Sequence, residues 1–312
     1  MSGGQHRPVL LGEVVDALAI RPDGLYVDGT YGRGGHSREI LQRLGERGRL
    51  LVMDRDPQAI AAAEAEHGED QRVTIIHDEY AQLDNYLERL GWLEQVDGLL
   101  LDLGVSSPQL DDAGRGFSFQ ASGPLDMRMN PEQGQSAADW LMTADEKEIS
   151  DVLWRLGEEK FSRRIARRIV EQREQEPLRD TAQLAELIRQ CVPAGREKKH
   201  PATRSFQAIR IRINRELEQL QQLLDSLFRV LRIGGRVAII SFHSLEDRLV
   251  KRFFRKESTA PALPRGLPLR ESERDLGQRL RLIGKAIKPS SQETEDNPRA
   301  RSAVLRVAER IA

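Results

Sequence analysis

Val27-Asp-Gly-Thr-Tyr-Gly-Arg-Gly-Gly-His-Ser37 decides how the chain is read. Leu25, Tyr26 and Val27 make a short buried strand and Asp28 ends it. Gly29, Gly32, Gly34 and Gly35 let the backbone turn where a side chain would clash. A helix is expected from about residue 37 to residue 44. Strand, glycine turn and helix present backbone N–H groups to a nucleotide-like ligand at the edge of an open α/β sheet. A tight turn that needs glycine for its own sake looks the same, so the rest of the chain has to decide.

Residues 49–54, Arg-Leu-Leu-Val-Met-Asp, read as a second strand with Asp54 at its carboxyl end. Asp54 lies about 20 residues past the glycine turn, where an acid accepts both hydroxyls of a ribose. Asp56-Pro57 opens the next helix, residues 58–66, and Asp56 is its natural cap, which leaves Asp54 free for a ligand. Residues 73–76 are a third strand, followed by Tyr80, placed either to line an adenine pocket or to cover the sheet edge. Residues 96–103, Val-Asp-Gly-Leu-Leu-Leu-Asp-Leu, carry a continuous apolar run at their centre, the pattern of a central parallel strand buried on both faces, ended by Asp102 and Gly104. Amphipathic spacing predicts helices over residues 9–19 and 83–90, and His6-Arg7-Pro8 is expected near the glycine turn.

The alternation then breaks. Residues 110–131 are rich in Gly, Asp, Ser and Pro, a loop long enough to be functional or mobile. Helical periodicity runs from residue 137 to about 191, with breaks at Gly157 and Pro177. A basic turn at residues 193–201 leads into one long helix expected over about 202–231. Sheet character returns with Gly234-Gly235 and residues 236–242, then a helix to about residue 256, a Pro-rich loop at 258–269, and closing strands at 280–287 and 303–308. This is one α/β domain split by a helical insertion. The boundaries expected are residues 1–109 and 216–312 for the two parts of the core, and 110–215 for the loop and insertion.

Composition adds a charge asymmetry. Net charge is only -1, but residues 1–150 hold 13 basic against 27 acidic side chains, and residues 151–312 hold 35 against 22. Residues 151–215 alone carry 16 basic and 9 acidic side chains, which points to a polyanionic partner on that part of the surface. Cys191 is the only cysteine, so a disulfide within the chain and a cysteine metal cluster are both excluded. Six histidines without paired ligand spacing argue against a transition-metal site. No apolar run reaches membrane-spanning length and the polar N-terminus is no secretion signal, so a cytoplasmic protein is expected.

Among nucleoside ligands, a dinucleotide calls for G-x-G-x-x-G, and Gly32-Arg-Gly-Gly35 lacks that spacing. A phosphate-cradling loop needs Gly-Lys-Ser/Thr, and no lysine precedes Lys147. S-adenosylmethionine has no pyrophosphate. It asks for close backbone approach, an acid for its ribose and acids that tolerate a sulfonium, which Asp28, Asp54 and Asp102 at successive strand ends supply. Ser106-Ser-Pro-Gln109 partly matches the Ser/Asp/Asn-Pro-Pro-aromatic tetrapeptide of enzymes that methylate base amines. There, acceptors on the amine hydrogens favour a pyramidal nitrogen that attacks the methyl carbon in line. Gln109 stands where the aromatic is usual; Phe117 or Phe119 would stack on the base instead, or pack under the loop.

Asp28-Gly-Thr-Tyr-Gly-Arg-Gly-Gly-His-Ser37, Asp102-Leu-Gly-Val-Ser-Ser-Pro-Gln109, Gly123-Pro-Leu-Asp-Met-Arg-Met129, Ser205-Phe-Gln-Ala-Ile-Arg-Ile211 and Ser241-Phe-His-Ser-Leu-Glu-Asp247 resemble, in order and over nearly the whole chain, the RsmH/MraW family of bacterial 16S rRNA cytosine methyltransferases. The resemblance implies a class I (Rossmann-like) methyltransferase fold with an inserted helical domain. It also implies S-adenosyl-L-methionine as cofactor and transfer to the exocyclic N4 amine of cytidine 1402 of 16S rRNA or the small ribosomal subunit. Cofactor contacts carry over to Gly34, Gly35, His36, Asp54, Tyr80, Asp102 and Gln109. The position-based candidates at the substrate are Ser107, Pro108 and His243. His36 is expected to act through its backbone N–H, and His243 to bond the loop or the base. Arg204, Arg210, Arg212, Arg299 and Arg301 are candidates for RNA phosphates. Neither metal nor membrane is implied, and a homodimer is compatible with the reading. The competing readings are a DNA amino-methyltransferase, against which the missing aromatic argues, and a non-catalytic RNA-binding protein on the same fold, against which Asp54 argues.

Overall fold

The computed structural model describes residues 8–193, 200–260 and 277–312. His6 and Arg7, the centre of the basic turn at 194–199 and most of the Pro-rich loop lie outside the described residues. Contacts divide the chain into two compact units, Met1–Gly104 with Glu218–Ala312, and Val105–Leu217.

The first unit is built on seven strands: β1 Leu25–Asp28, β2 Arg49–Asp54, β3 Val73–His77, β4 Val96–Asp102, β5 Leu231–Ser241, β6 Leu280–Leu282 and β7 Val304–Arg310. Their order is β3-β2-β1-β4-β5-β7-β6. The first five are parallel, and β7 runs antiparallel to both β5 and β6. The expected α/β class therefore holds. β4 is buried along six of its seven residues, its Leu99–Leu101 centre apolar and Asp97 the one buried charged side chain. Side chains alternate across the sheet: Val27, Leu51, Leu99 and Val237 enter one apolar cluster, while Tyr26, Leu50, Leu100 and Ala238 enter the other. Helices cover both faces, Leu83–Leu90 and Glu216–Val230 contributing to the first cluster, Leu11–Leu18 and Gly35–Arg43 to the second. The order reverses between β1 and β4, and a parallel sheet opens its ligand crevice at the carboxyl ends of such a pair.

Two details differ from the sequence reading. The single helix expected over 202–231 is two, Thr203–Asn214 and Glu216–Val230, broken where Arg215 takes a left-handed conformation (φ 52°). The glycine turn at Gly234-Gly235 lies inside β5, as an irregularity between the pairs Val96–Leu231 and Gly98–Arg236.

The second unit is helical around its own core, which includes Phe117, Leu125, Met127, Met129, Trp140, Ile165, Leu184 and Phe206. The stretch at 110–131, expected as a long loop, is anchored within this unit. Asn214 accepts from Met129 N (2.8 Å) and donates to Met127 O (2.7 Å), and Arg115 donates to Met129 O (2.8 Å).

Candidate active site

The candidate site lies at the carboxyl edge of β1, β2, β4 and β5, all in the first unit. The glycine turn is laced to the strands around it. Gly29 N donates to Leu100 O (3.0 Å), Tyr31 N to Met53 O (2.9 Å), and Thr30 Oγ1 accepts from Asp102 N (2.6 Å). Asp28 is buried and bonded at both oxygens, from Thr30 N (3.1 Å) and Ser37 Oγ (2.7 Å). Gly29 has no room for a side chain: a Cβ would stand 2.6 Å from Leu101 Cδ2 and 3.3 Å from Tyr80 Cβ, which places Tyr80 over the end of β1. Gly34 is left-handed (φ 70°) and opens the helix Gly35–Arg43, whose first intrahelical bond from the turn is Arg38 N to Gly34 O (2.8 Å). The N–H groups of Gly35, His36 and Ser37 come before that bond and form the positive end of the helix.

Gly34→Ala is therefore expected to cost about 2–5 kcal/mol of stability, the sum of a left-handed alanine and an overpacked contact. Its methyl would press to 2.4 Å from Tyr31 Oη, on a ring that is itself buried. Chemical denaturation beside the parent protein measures it, and an unchanged midpoint would show that the turn relaxes without strain.

Asp54 is not free, as the sequence reading expected. Asp54 Oδ2 accepts from Gly32 N (2.9 Å) and Oδ1 from Asp56 N (2.9 Å), while Asp56 caps its helix as anticipated through Gln58 N (3.0 Å). Asp54 thus joins the glycine turn to the start of the next helix, and each oxygen keeps a further lone pair for a ligand hydroxyl. The three strand-end acids share one electrostatic character. Burial pushes Asp28 up to about 6, against the Ser37 and Thr30 bonds, and Asp54 up to about 6, against the two backbone N–H bonds. Asp102 rises to about 8, through burial first and then the charges of Asp28 and Glu246. Its Oδ1 is buried without a hydrogen-bond partner among the described residues. Its Oδ2 lies 3.9 Å from His36 Nδ1. Burial holds the His36 ring neutral, with its pKa lowered to about 4, and Nε2 donates to Val9 O (3.1 Å), which leaves the bare Nδ1 toward Asp102.

His243 follows β5 on the same edge. Its Nδ1 accepts from Glu246 N (3.4 Å) and caps the helix Ser244–Ser258, while Nε2 lies 3.1 Å from Glu246 Oε1. Glu246 also accepts from Phe242 N (2.9 Å) and His243 N (3.3 Å). Nδ1 is thus taken by the helix start, while Nε2 is buried without a hydrogen-bond partner among the described residues. Thr30, Ser37 and Glu246 shape the site and were missed from sequence; a His-x-x-Glu spacing ahead of an amphipathic helix is the signal that could have found Glu246.

The remaining predicted residues are divided between the two units. Ser107, Pro108 and Gln109 belong to the second unit, in a five-residue helix Ser107–Asp111 with a capping box, in which Gln109 Oε1 accepts from Ser106 N (2.9 Å). Phe117 packs into that unit's core, and Phe119 stacks edge-on against Phe206 at 4.8 Å. Arg210 is tied to Glu216 by two bonds of 2.8 Å, and Arg212 reaches Glu148 at 3.2 Å, so both serve internal ion pairs. Arg204, part-buried, opens the helix Thr203–Asn214. Arg299 and Arg301 are exposed on the 3-10 helix Pro298–Ser302 of the first unit.

A family model described as the MraW methylase family matches residues 3–311. The chain belongs to the MraW methylase family. It is 59% identical over 307 residues to the ribosomal RNA small subunit methyltransferase H of Thioalkalivibrio sulfidiphilus (strain HL-EbGR7), covering 98% of each chain. Among solved structures, an rRNA methylase from Streptococcus thermophilus aligns with TM-score 0.39 and 14% identity, over 97% of this chain and 93% of that one. Fibrillarin of Aeropyrum pernix, in complex with S-adenosyl-L-methionine, aligns with TM-score 0.40 and 10% identity, over 96% and 72%. These structural likenesses are loose, and the fold of this MraW family member rests on its own strand order.

Proposed function

We propose that the chain is an S-adenosylmethionine-dependent methyltransferase that acts on the exocyclic N4 amine of cytidine 1402 in the 16S rRNA of the small ribosomal subunit, in the cytoplasm. The observation that carries the cofactor is the edge formed by the glycine turn and three strand-end acids, with the Asp102 Oδ1 buried and unpartnered inside it. The donor set fits. The N–H groups at Gly34, Gly35 and His36 suit the carboxylate of the amino-acid part, Asp54 suits the ribose diol, Tyr80 walls the adenine side, and Asp102 faces the cationic centre. When bound, the cofactor supplies an electrophilic methyl carbon on a sulfonium.

Membership of the MraW family and the name of the 59% identical relative support rRNA as substrate. The choice of the cytosine amine rests on the sequence resemblance. An aromatic amine needs its lone pair withdrawn from the ring, so acceptor oxygens on its hydrogens are what the chain must provide, with Ser107 and the backbone around Pro108 as the assigned group. The second unit, with its basic helices, holds the surrounding RNA. Mass-spectrometric mapping of rRNA nucleosides from cells with and without the protein tests this. The N4 methyl of cytidine 1402 is expected to vanish without the protein and return with the intact gene; an unchanged cytidine would end the assignment.

A further inference from the structure

Helices keep acids near their N-termini and bases near their C-termini because the peptide dipoles favour that order. The helix Glu146–Gly157 obeys: Asp145 caps it, Glu146 and Glu148 fill the first turn, and Arg155 sits in the last. The helix that follows, Ser162–Gln175, is reversed. Its first turn holds no acid and carries exposed Arg163 and Arg164, with exposed Lys160 just before and Arg167 one turn on; the acids at this start are exposed Glu158 and buried Glu159, whose carboxylate accepts from Phe161 N (2.9 Å). Its exposed acids, Glu171 and Glu174, lie toward the other end. Arg173, the base near the C-terminus, is drawn inward to Leu141 O and Ala144 O at 2.6 Å each. Among the described residues Lys160, Arg163 and Arg164 have no ion-pair partner, and Arg167 approaches Glu146 only at 3.9 Å. Four cations at the positive end of a dipole outnumber the two acids of the bend, Glu158 and Glu159, and the excess is an arrangement that folding alone does not call for. A polyanion docked there is attracted to every cation and to the helix end, which offsets the repulsion among them.

A second observation names the polyanion. Trp154, in the preceding helix, is 56% exposed, far more than packing requires of the largest apolar side chain. Ser150 Oγ and Ser162 Oγ lie 3.4 Å apart, so the two helices run side by side and Trp154 lies on the turn side of that contact. Trp154, Lys160, Arg163, Arg164 and Arg167 all fall within two helical turns of the hairpin's bend. An exposed aromatic beside unpaired cations is the donor set for an unpaired nucleic-acid strand, bases stacking on the ring and phosphates meeting the cations.

We infer that the bend end of the hairpin formed by Glu146–Gly157 and Ser162–Gln175 is a docking surface for single-stranded RNA, with Trp154 stacking a base and Lys160, Arg163, Arg164 and Arg167 taking phosphates. The inference rests on the rRNA reading above and locates where, on the helical unit, the strand is held. The test uses the full chain, an unstructured 15-nucleotide RNA of mixed sequence, and a salt titration. The double variant R163E/R164E is expected to bind the RNA at least about tenfold more weakly, with the slope of log affinity against log salt reduced by about 1.4. Its melting temperature is expected to stay the same or rise, since both substitutions correct the helix polarity. W154A is expected to lose about 5- to 150-fold in affinity with the salt slope unchanged. S-adenosylmethionine affinity should be unaltered in both, which shows that each is folded. Unchanged RNA binding in R163E/R164E overturns the surface. Loss there with none in W154A overturns the single-strand assignment in favour of a duplex. A parent protein that binds cofactor but no RNA overturns the rRNA reading itself, and this surface with it.

Discussion

Asp54→Ala is expected to lose at least about a hundredfold in S-adenosylmethionine affinity while changing stability little. The first half follows from charge-assisted hydrogen bonds. Each ribose hydroxyl accepted by a carboxylate is worth about 1.5–3 kcal/mol, and two are lost together. The second half is a balance of opposing effects. Removing the carboxylate orphans Gly32 N and Asp56 N, at about 1–3 kcal/mol each. It also removes a carboxylate that burial has raised to about 6 from 3.8, an ionised group about 3 kcal/mol worse off in the fold than in water. The net runs from a gain of about 1 kcal/mol to a loss of about 3 kcal/mol. Asp54→Asn keeps one acceptor oxygen and should fall between alanine and the parent in cofactor affinity. Titration calorimetry with melting curves on the same samples separates the two effects. Affinity within threefold of the parent would remove Asp54 from the ribose, and a collapse of stability would make the residue structural first.

The same residue shows how much of this protein could be read before its coordinates. The strands were legible because β1, β2 and β4 are buried on both faces and carry apolar runs through their centres, a pattern that few other elements share. Asp56 was legible because an Asp-Pro pair ahead of a helix has one local meaning, and its bond to Gln58 N is short-range. Asp54 was half legible. Its place at a strand end was visible, but its bond to Gly32 spans 22 residues and depends on how two strands align, which spacing does not encode. Asp102 repeats the lesson, since its character comes from burial and from Asp28 and Glu246, brought near by the sheet. Ser106-Ser-Pro-Gln109 is legible at short range for the opposite reason: its local structure, a capping box with proline in the first turn, is written in four residues, whereas a role at a substrate depends on groups far away in sequence. The break at Arg215 carried no signal at all, because a left-handed residue there would ordinarily be glycine or asparagine.

Asp102 carries the second large effect, through pH. Its carboxyl titrates near 8 in the folded protein and near 3.8 when unfolded. Between those values folding takes up a proton, so Asp102 favours the folded state most at low pH, and that contribution declines as pH rises toward 8. Every described group that faces it agrees. Asp28 from β1 and Glu246 from the helix after β5 raise it further, and neutral His36 offers no compensating charge at 3.9 Å. A sulfonium set against Asp102 needs the ionised form, so binding must expel the proton. Cofactor affinity is then expected to tighten by up to about tenfold per pH unit below 8, and to level off above it. S-adenosylhomocysteine, whose sulfur is uncharged, has no such demand and should bind with a nearly flat profile over the same range. Asp102→Asn should abolish the difference between the two ligands and, in the ligand-free protein, remove most of the fall in melting temperature between pH 6 and 8.5, leaving the tail of Asp28 and Asp54. Calorimetry in two buffers of different ionisation heat counts the protons directly, one set free per cofactor at pH 7 in the parent and none in the variant. Parallel pH profiles for the charged and uncharged ligands would place the sulfonium away from Asp102.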